Sequence, residues 1–432
     1  MSWLLRGVAV LAVLCGLSAH AAESASKAGE WPQWRGPGRE NKSPETGLLD
    51  SWEAAPPKLL WMADGLGEGY ASVSIADGRI YTTGNLSDGQ AVIALSLDGG
   101  KVLWTKTLTD QPPEHGYEGS RCTPTVDGDR LYVVTSNGTI ACLKAEDGQI
   151  VWQKDFAKDF GGQMMSKWGF AESPLVDGDW VLCTPGGKDA MIVALDKLTG
   201  KEIWRSAMPE VGAKGKDGAA YSSIVISHAA GVKQYVQLVG RGTIGVRASD
   251  GKFLWSYNDI ANPTANIPTP IVAGDYVFTS TGYNDGGSAL LKLVRDGDGV
   301  KAEEVYYHPA KTLQNHHGGM ILHEGHVYFG TKHNNGFPVC VELESGKIVW
   351  GGDTRGPGSG SAAIVYADGD VIFRYQSGEV ALIEATPKDY KLKGVFTPEY
   401  VGKNPCWAQP VVAGGKLYLR DQDKLMCYDV SE

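Results

Sequence analysis

Between residues 58 and 432 the chain repeats one pattern about eight times: a short apolar strand, a glycine-containing turn, two further strands, and then Gly-Lys-x-x-Trp or a close variant. The clearest copies are LDGGKVLW (97–104), DKLTGKEIW (196–204), ASDGKFLW (248–255) and ELESGKIVW (342–350). A unit made only of strands and tight turns cannot bury both faces of its sheet alone. It must stack on copies of itself, and a radial stack of four-stranded sheets, a β-propeller, is the arrangement that leaves only short edges.

The aromatic positions give the number of blades. Trp104, Trp152, Trp204, Trp255 and Trp350 fall at the same place in each copy, at intervals of 48, 52, 51 and 95, so the last interval is two repeats long. Tyr306 fills the missing slot, and one more step from Trp350 reaches Phe396 in LKGVF. After that the chain supplies three strands, QPVVAGGKLYLRDQDKLMCYDV (409–430), with no fourth, whereas KLLW ending at Trp61 reads as a fourth strand with no three before it. The fragments complete each other. The expected fold is all-β: an eight-bladed propeller of four-stranded antiparallel blades, closed by an N-terminal strand joining the C-terminal blade. Gly78, Gly128, Gly178, Gly231, Gly274, Gly325, Gly369 and Gly414 mark eight hairpins, several of them Asp-Gly, which favours the positive φ of a two-residue turn. Each repeat-ending aromatic is expected to pack between blades.

The ends and the composition bound the rest. Residues 1–22 read as a cleaved leader, with Arg6, the apolar run GVAVLAVLCGLSA and the small-x-small site Ala19-His20-Ala21, so cleavage near Ala21 and a periplasmic or secreted location are expected. The apolar run is too short for a stable transmembrane helix. Residues 23–57 form an arm containing Trp31, Trp34 and Trp52, which should dock on the propeller of residues 58–432. The net charge of −10, with no Lys/Arg run, argues against nucleic acid as a partner. Six cysteines follow the leader; Cys142, Cys340 and Cys427 share the third-strand slot of separate blades, which is too far apart for disulfides and suits small buried side chains. Asp296 and Asp298 in RDGDG read as the third-to-fourth-strand turn of blade five.

The repeat, together with PTVDGDRLYVV (124–134) and SPLVDGDWVL (173–182), resembles the PQQ-like, or quinoprotein alcohol dehydrogenase-like, β-propeller superfamily. WPQWRGPGREN (31–41) resembles the opening of exported PQQ-like repeat proteins of the BamB-like group. That resemblance implies a binding or scaffolding propeller. The superfamily also holds PQQ-dependent dehydrogenases, which carry an adjacent Cys-Cys pair and a calcium ligand set; neither can be matched here. Cys15 follows Leu14, where a lipoprotein signal wants a small residue. An exported monomeric binding protein for a small-molecule, saccharide or protein ligand is therefore expected, without cofactor or metal. The alternative is a dehydrogenase of alcohols or sugars using PQQ with calcium.

In a propeller the first strand of each blade lines the channel, so residues just before it converge on one mouth. The binding candidates there are His115, Arg121, Trp168, Glu172, Tyr221, Asn315, His316, His317 and Trp407, with Tyr70, Tyr117, Glu118, Lys167, Asn266, Ser359 and Ser361 in the same segments. Trp168 and Trp407 could equally cap blades, and Arg121 could pair with Glu118. Adjacent His316 and His317 point in opposite directions on an extended segment, so one can face the channel while the other packs.

Overall fold

The structure, a computed structural model, describes residues 27–283 and 285–432; the expected leader, including Cys15, lies outside the described residues. Eight four-stranded antiparallel sheets form the eight blades. Blade one spans residues 74–107, two 125–155, three 175–206, four 225–257, five 271–309, six 320–351 and seven 362–396. Blade eight joins residues 411–429 to the strand Lys58–Ala63, in a register that sets Trp61 opposite Cys427 and Ala63 opposite Leu425. All six cysteines of the described chain are buried and free.

Gly-Lys-x-x-Trp turns out to be the two halves of one contact between blades. On the fourth strand, Trp61, Trp104, Trp152, Trp204, Trp255 and Trp350 lie opposite the small third-strand residues Cys427, Ala94, Cys142, Ala194, Gly245 and Cys340. The small partner leaves room for the ring, which leans onto the next blade and lands on its turn glycine. A Cβ at Gly100, Gly148, Gly200 or Gly251 would lie 2.4–2.8 Å from the preceding blade's indole. Only glycine fits there. The residue before each aromatic is a bulge skipped by the ladder, which turns Leu60, Leu103, Val151, Ile203 and Val305 out to solvent.

Blade seven departs from the expectation. Gly394, not Phe396, stands at the aromatic position, opposite Leu382, and Phe396 pairs with Val380 two residues on. Trp52 of the N-terminal arm fills the space: its N–H donates to Lys393 O at 2.8 Å, and its ring meets Phe396 edge-on at 5.4 Å. A Cβ on Gly394 would lie 2.6 Å from Trp52 Cβ.

The arm docks on the face carrying the first-to-second-strand hairpins. Trp31 exchanges backbone hydrogen bonds with Ile75, Lys27 pairs with Asp77 at 2.6 Å, and Glu45 accepts from the Gly414 and Gly415 amides. From there it enters the channel. Arg39 donates to Ser173 O and Pro174 O just before blade three, Arg35 to Met320 O of blade six, and Asn41 to Ile364 O of blade seven and Gln409 Oε1 beside blade eight. Arg35, Arg39 and Asn41 all have positive φ (63°, 56° and 61°), a strained backbone held by these contacts. The arm is thus a plug seated from one side. Ring closure has its own clamp: buried Arg420 of blade eight donates to Thr83 O, Thr82 Oγ1 and Gln422 O, and at longer range to Leu66 O, Gly67 O and Ala71 O, tying blade eight to blade one.

Candidate functional site

With the hairpin face plugged, the opposite mouth is left as a cup. It is built from the connections between blades and from the second-to-third-strand turns. Trp407, from the blade-eight connection, stacks on His317 of blade six at 4.6 Å and 25°, meets Tyr70 at 5.0 Å and Tyr117 at 4.9 Å, and donates from Nε1 to Gln376 Oε1. His317 contacts His316 at 4.2 Å, and His316 contacts His333 at 4.2 Å and Tyr283 at 4.9 Å. Across the mouth Trp168 meets Tyr221 edge-on at 6.0 Å, and the Tyr221 hydroxyl pairs with Ser166 Oγ at 2.7 Å. Aromatic and imidazole rings from six connections and two turns therefore converge on this one mouth.

Arg121 sits among these rings, its guanidinium 5.5 Å from the Tyr70 ring centre. It does not pair with Glu118. Its terminal nitrogens donate to Gly116 O, Tyr117 O and Gly119 O and contact His115, which staples the loop 115–119 into a tight curl. No carboxylate lies within ion-pair distance of Arg121 among the described residues, and burial brings its pKa down to about 10. It is an uncompensated cation. Burial also pushes His317 down to about 3, with His333 and Arg121 adding to the effect, and holds His316 far below the usual histidine range. Both rings are neutral at pH 7.

The connection loops are held in place by close packing. Between blades two and three the short helix Phe156–Phe160, capped by Asp155, buries Phe156 against Phe170 and so fixes the segment 164–169. Gly116 and Gly169 let the two loops interlock: a Cβ on Gly116 would lie 2.8 Å from Trp168, and one on Gly169 3.0 Å from His115. Tyr117, Tyr283, Lys332 and His333 have φ of 53°, 62°, 65° and 47°. Four strained non-glycine residues on one rim fit a surface shaped by function.

The structure thus brings His115, Arg121, Trp168, Tyr221, His316, His317 and Trp407 together. It does not bring Glu172 or Asn315 to the mouth. Glu172 is buried in the channel wall, where it accepts from the Thr184 amide and hydroxyl and from Gln237, and burial raises its pKa to about 7. Asn315 donates to Gly330 O and is fully buried, and Asn266 likewise serves Val239 O and Gly240 O. The residues missed were Tyr283 and His333. Both sit in second-to-third-strand turns, TGYNDGG and TKHNNG, which open on the same mouth as the connections between blades. That topological rule was the signal available for them.

A cavity of about 530 Å³ opens beside the mouth rather than over the channel axis, lined by Asp110, Gln111, Glu114, His115, Asn137, Ser166 and Lys167 among others. A second, of about 610 Å³, lies on the hairpin face around Asp177, Trp180, Lys233 and Arg247, whose charges are paired with one another or with neighbours. Among the described residues no three His, Cys, Asp or Glu side chains converge to hold a metal ion. No helix among the described residues is long and apolar enough to cross a membrane.

Comparisons with known proteins agree on the repeat. The outer membrane protein assembly factor BamB of Shewanella oneidensis is 25% identical over 286 residues, covering 64% of this chain and 67% of that protein. A polyvinylalcohol dehydrogenase of a Pseudomonas species is 23% identical over 261 residues, 52% of this chain but only 40% of the relative's length. Among solved structures, BamB of Moraxella catarrhalis superposes with a TM-score of 0.59 at 13% identity, over 87% of this chain and 98% of its own. A europium-containing methanol dehydrogenase gives 0.65 at 14% identity, over 92% and 90%. At such identities the structural likeness speaks for the fold alone, and it extends to BamB and to a dehydrogenase alike. The sequence signature of one family, outer membrane protein assembly factor BamB, matches residues 88–352, well over half of the chain, and the protein belongs to that family.

Proposed function

We propose that this is an exported binding propeller whose plugged channel presents a one-sided cup to a sugar-like ligand. One observation carries the reading: the wall of Tyr70, Trp407, His317, Tyr283, Trp168 and Tyr221 around an uncompensated Arg121. Flat aromatic faces suit the apolar faces of sugar rings, tyrosine hydroxyls and neutral imidazoles can bond to sugar hydroxyls, and the cation favours an acidic substituent. Family membership supports a binding or scaffolding role in the periplasm, where a protein partner could also be engaged.

The test is a calorimetric panel of neutral and acidic saccharides with the mature protein. Trp407→Ala is expected to weaken binding about tenfold or more, roughly 1.4 kcal/mol, while the variant stays folded. Unchanged binding with a lowered melting temperature would make Trp407 a packing element. A second reading, a PQQ-dependent oxidoreductase, is favoured by the similarity to polyvinylalcohol dehydrogenase. Including PQQ and Ca²⁺ in the same panel, with dye reduction followed for alcohols and sugars, decides between the two.

A further inference from the structure

Two interlocked loops form a saddle between the cavity and the mouth. One side of the saddle is His115-Gly116, the other Trp168-Gly169, and each ring lies over the other loop's glycine. His115 belongs to both spaces: it lines the cavity and contacts Arg121 at 3.2 Å. Ser166 does the same from the far side, lining the cavity while its hydroxyl holds Tyr221. A ligand seated at the mouth would find the cavity beyond these two rings, with His115 and Ser166 bordering both spaces.

The cavity has its own chemistry. At about 530 Å³ it is within the size range of small-molecule pockets, roughly 300–1,000 Å³. Asp110, Gln111, Glu114 and Lys167 line it, and among the described residues none of these side chains makes a hydrogen bond or ion pair to the protein. Their donors and acceptors are free for a polar ligand.

We propose that mouth and cavity form one cleft, and that its ligand is an oligosaccharide with one ring on the Trp407 platform and further rings lying over the His115–Trp168 saddle into the polar cavity. This rests on the reading that the mouth takes a sugar-like ligand. Free carboxylates, an amide and an ammonium are the groups that bond successive ring hydroxyls, and the mixed charge suits neutral rings outside an acidic one at the mouth.

The experiment is calorimetric titration of the mature protein with galacturonate and glucose and with their oligomers up to the tetramer. Affinity should rise about tenfold or more from monomer to tetramer in the series that binds. Lys167→Ala combined with Gln111→Ala should flatten that rise, and its melting temperature reports whether the variant is folded. Binding that is equal at all lengths overturns the extended cleft and leaves the mouth reading standing. A rise with length that the double variant leaves intact places the outer rings elsewhere and also overturns it. Absence of binding at every length overturns both.

Discussion

Glu172 shows how far a residue's setting can move it from the role its sequence position suggests. It precedes a first strand, as a mouth residue should, yet its carboxylate turns inward to Thr184 and Gln237 and lies 3% exposed. Burial holds its pKa at about 7 against about 4.3 for an unfolded glutamate, so between these values the folded state keeps a proton that the unfolded state has lost. This group therefore removes stability as pH rises from about 4.3 to 7. His316 and His317, held neutral by burial, act oppositely, since the unfolded chain gains their protons below about pH 6.5. A raw pH profile mixes these effects, whereas a difference isolates one. In urea unfolding, Glu172→Gln should gain on the native sequence as pH rises from 5 to 8, by on the order of 2–3 kcal/mol. A difference that stays flat over that range would show Glu172 to be ionised in the fold throughout.

At the scale of elements, the repeat could be read residue by residue because its spacing is imposed by packing. A Trp must reach a glycine one blade on, so both recur together, and the small residue opposite the Trp recurs with them. The arm could not be read this way. Trp52 lies more than 300 residues from Gly394 in sequence, and nothing local says that the one replaces the ring missing at the other. The step to Phe396 followed spacing alone and landed two residues past the true register. Trp52 is consequently a core residue outside the repeat. Trp52→Ala should cost about 3–5 kcal/mol in denaturant unfolding, as for other large-to-small changes at buried aromatics. A loss below about 1 kcal/mol, the range of surface substitutions and modest contacts, would mean that the arm contributes little to blade seven.

On the scale of the whole molecule, closure and polarity are separate achievements. The paired ends complete blade eight, and Arg420 ties it to blade one, which removes the edges an open arc would leave. The count of eight and the closing strand were legible because they are arithmetic on a repeat. That the two faces differ was not. The plug depends on Arg35, Arg39 and Asn41 entering from a segment whose path the repeat does not encode. A channel open at one end only turns convergent loops into a cup, and gathers Arg121, His317 and Trp407 from three separate blades around it. The claim that binding belongs to this one face is open to hydrogen–deuterium exchange of the protein, with and without the tightest-binding saccharide of the panel. Protection should rise in 115–121, 164–169, 282–286, 315–317 and 405–409 and stay unchanged in the hairpins around Gly78, Gly178 and Gly414. Protection confined to the hairpin face or to the outer strands around Leu103 and Ile203 would place the ligand on another surface and leave the cup without a role.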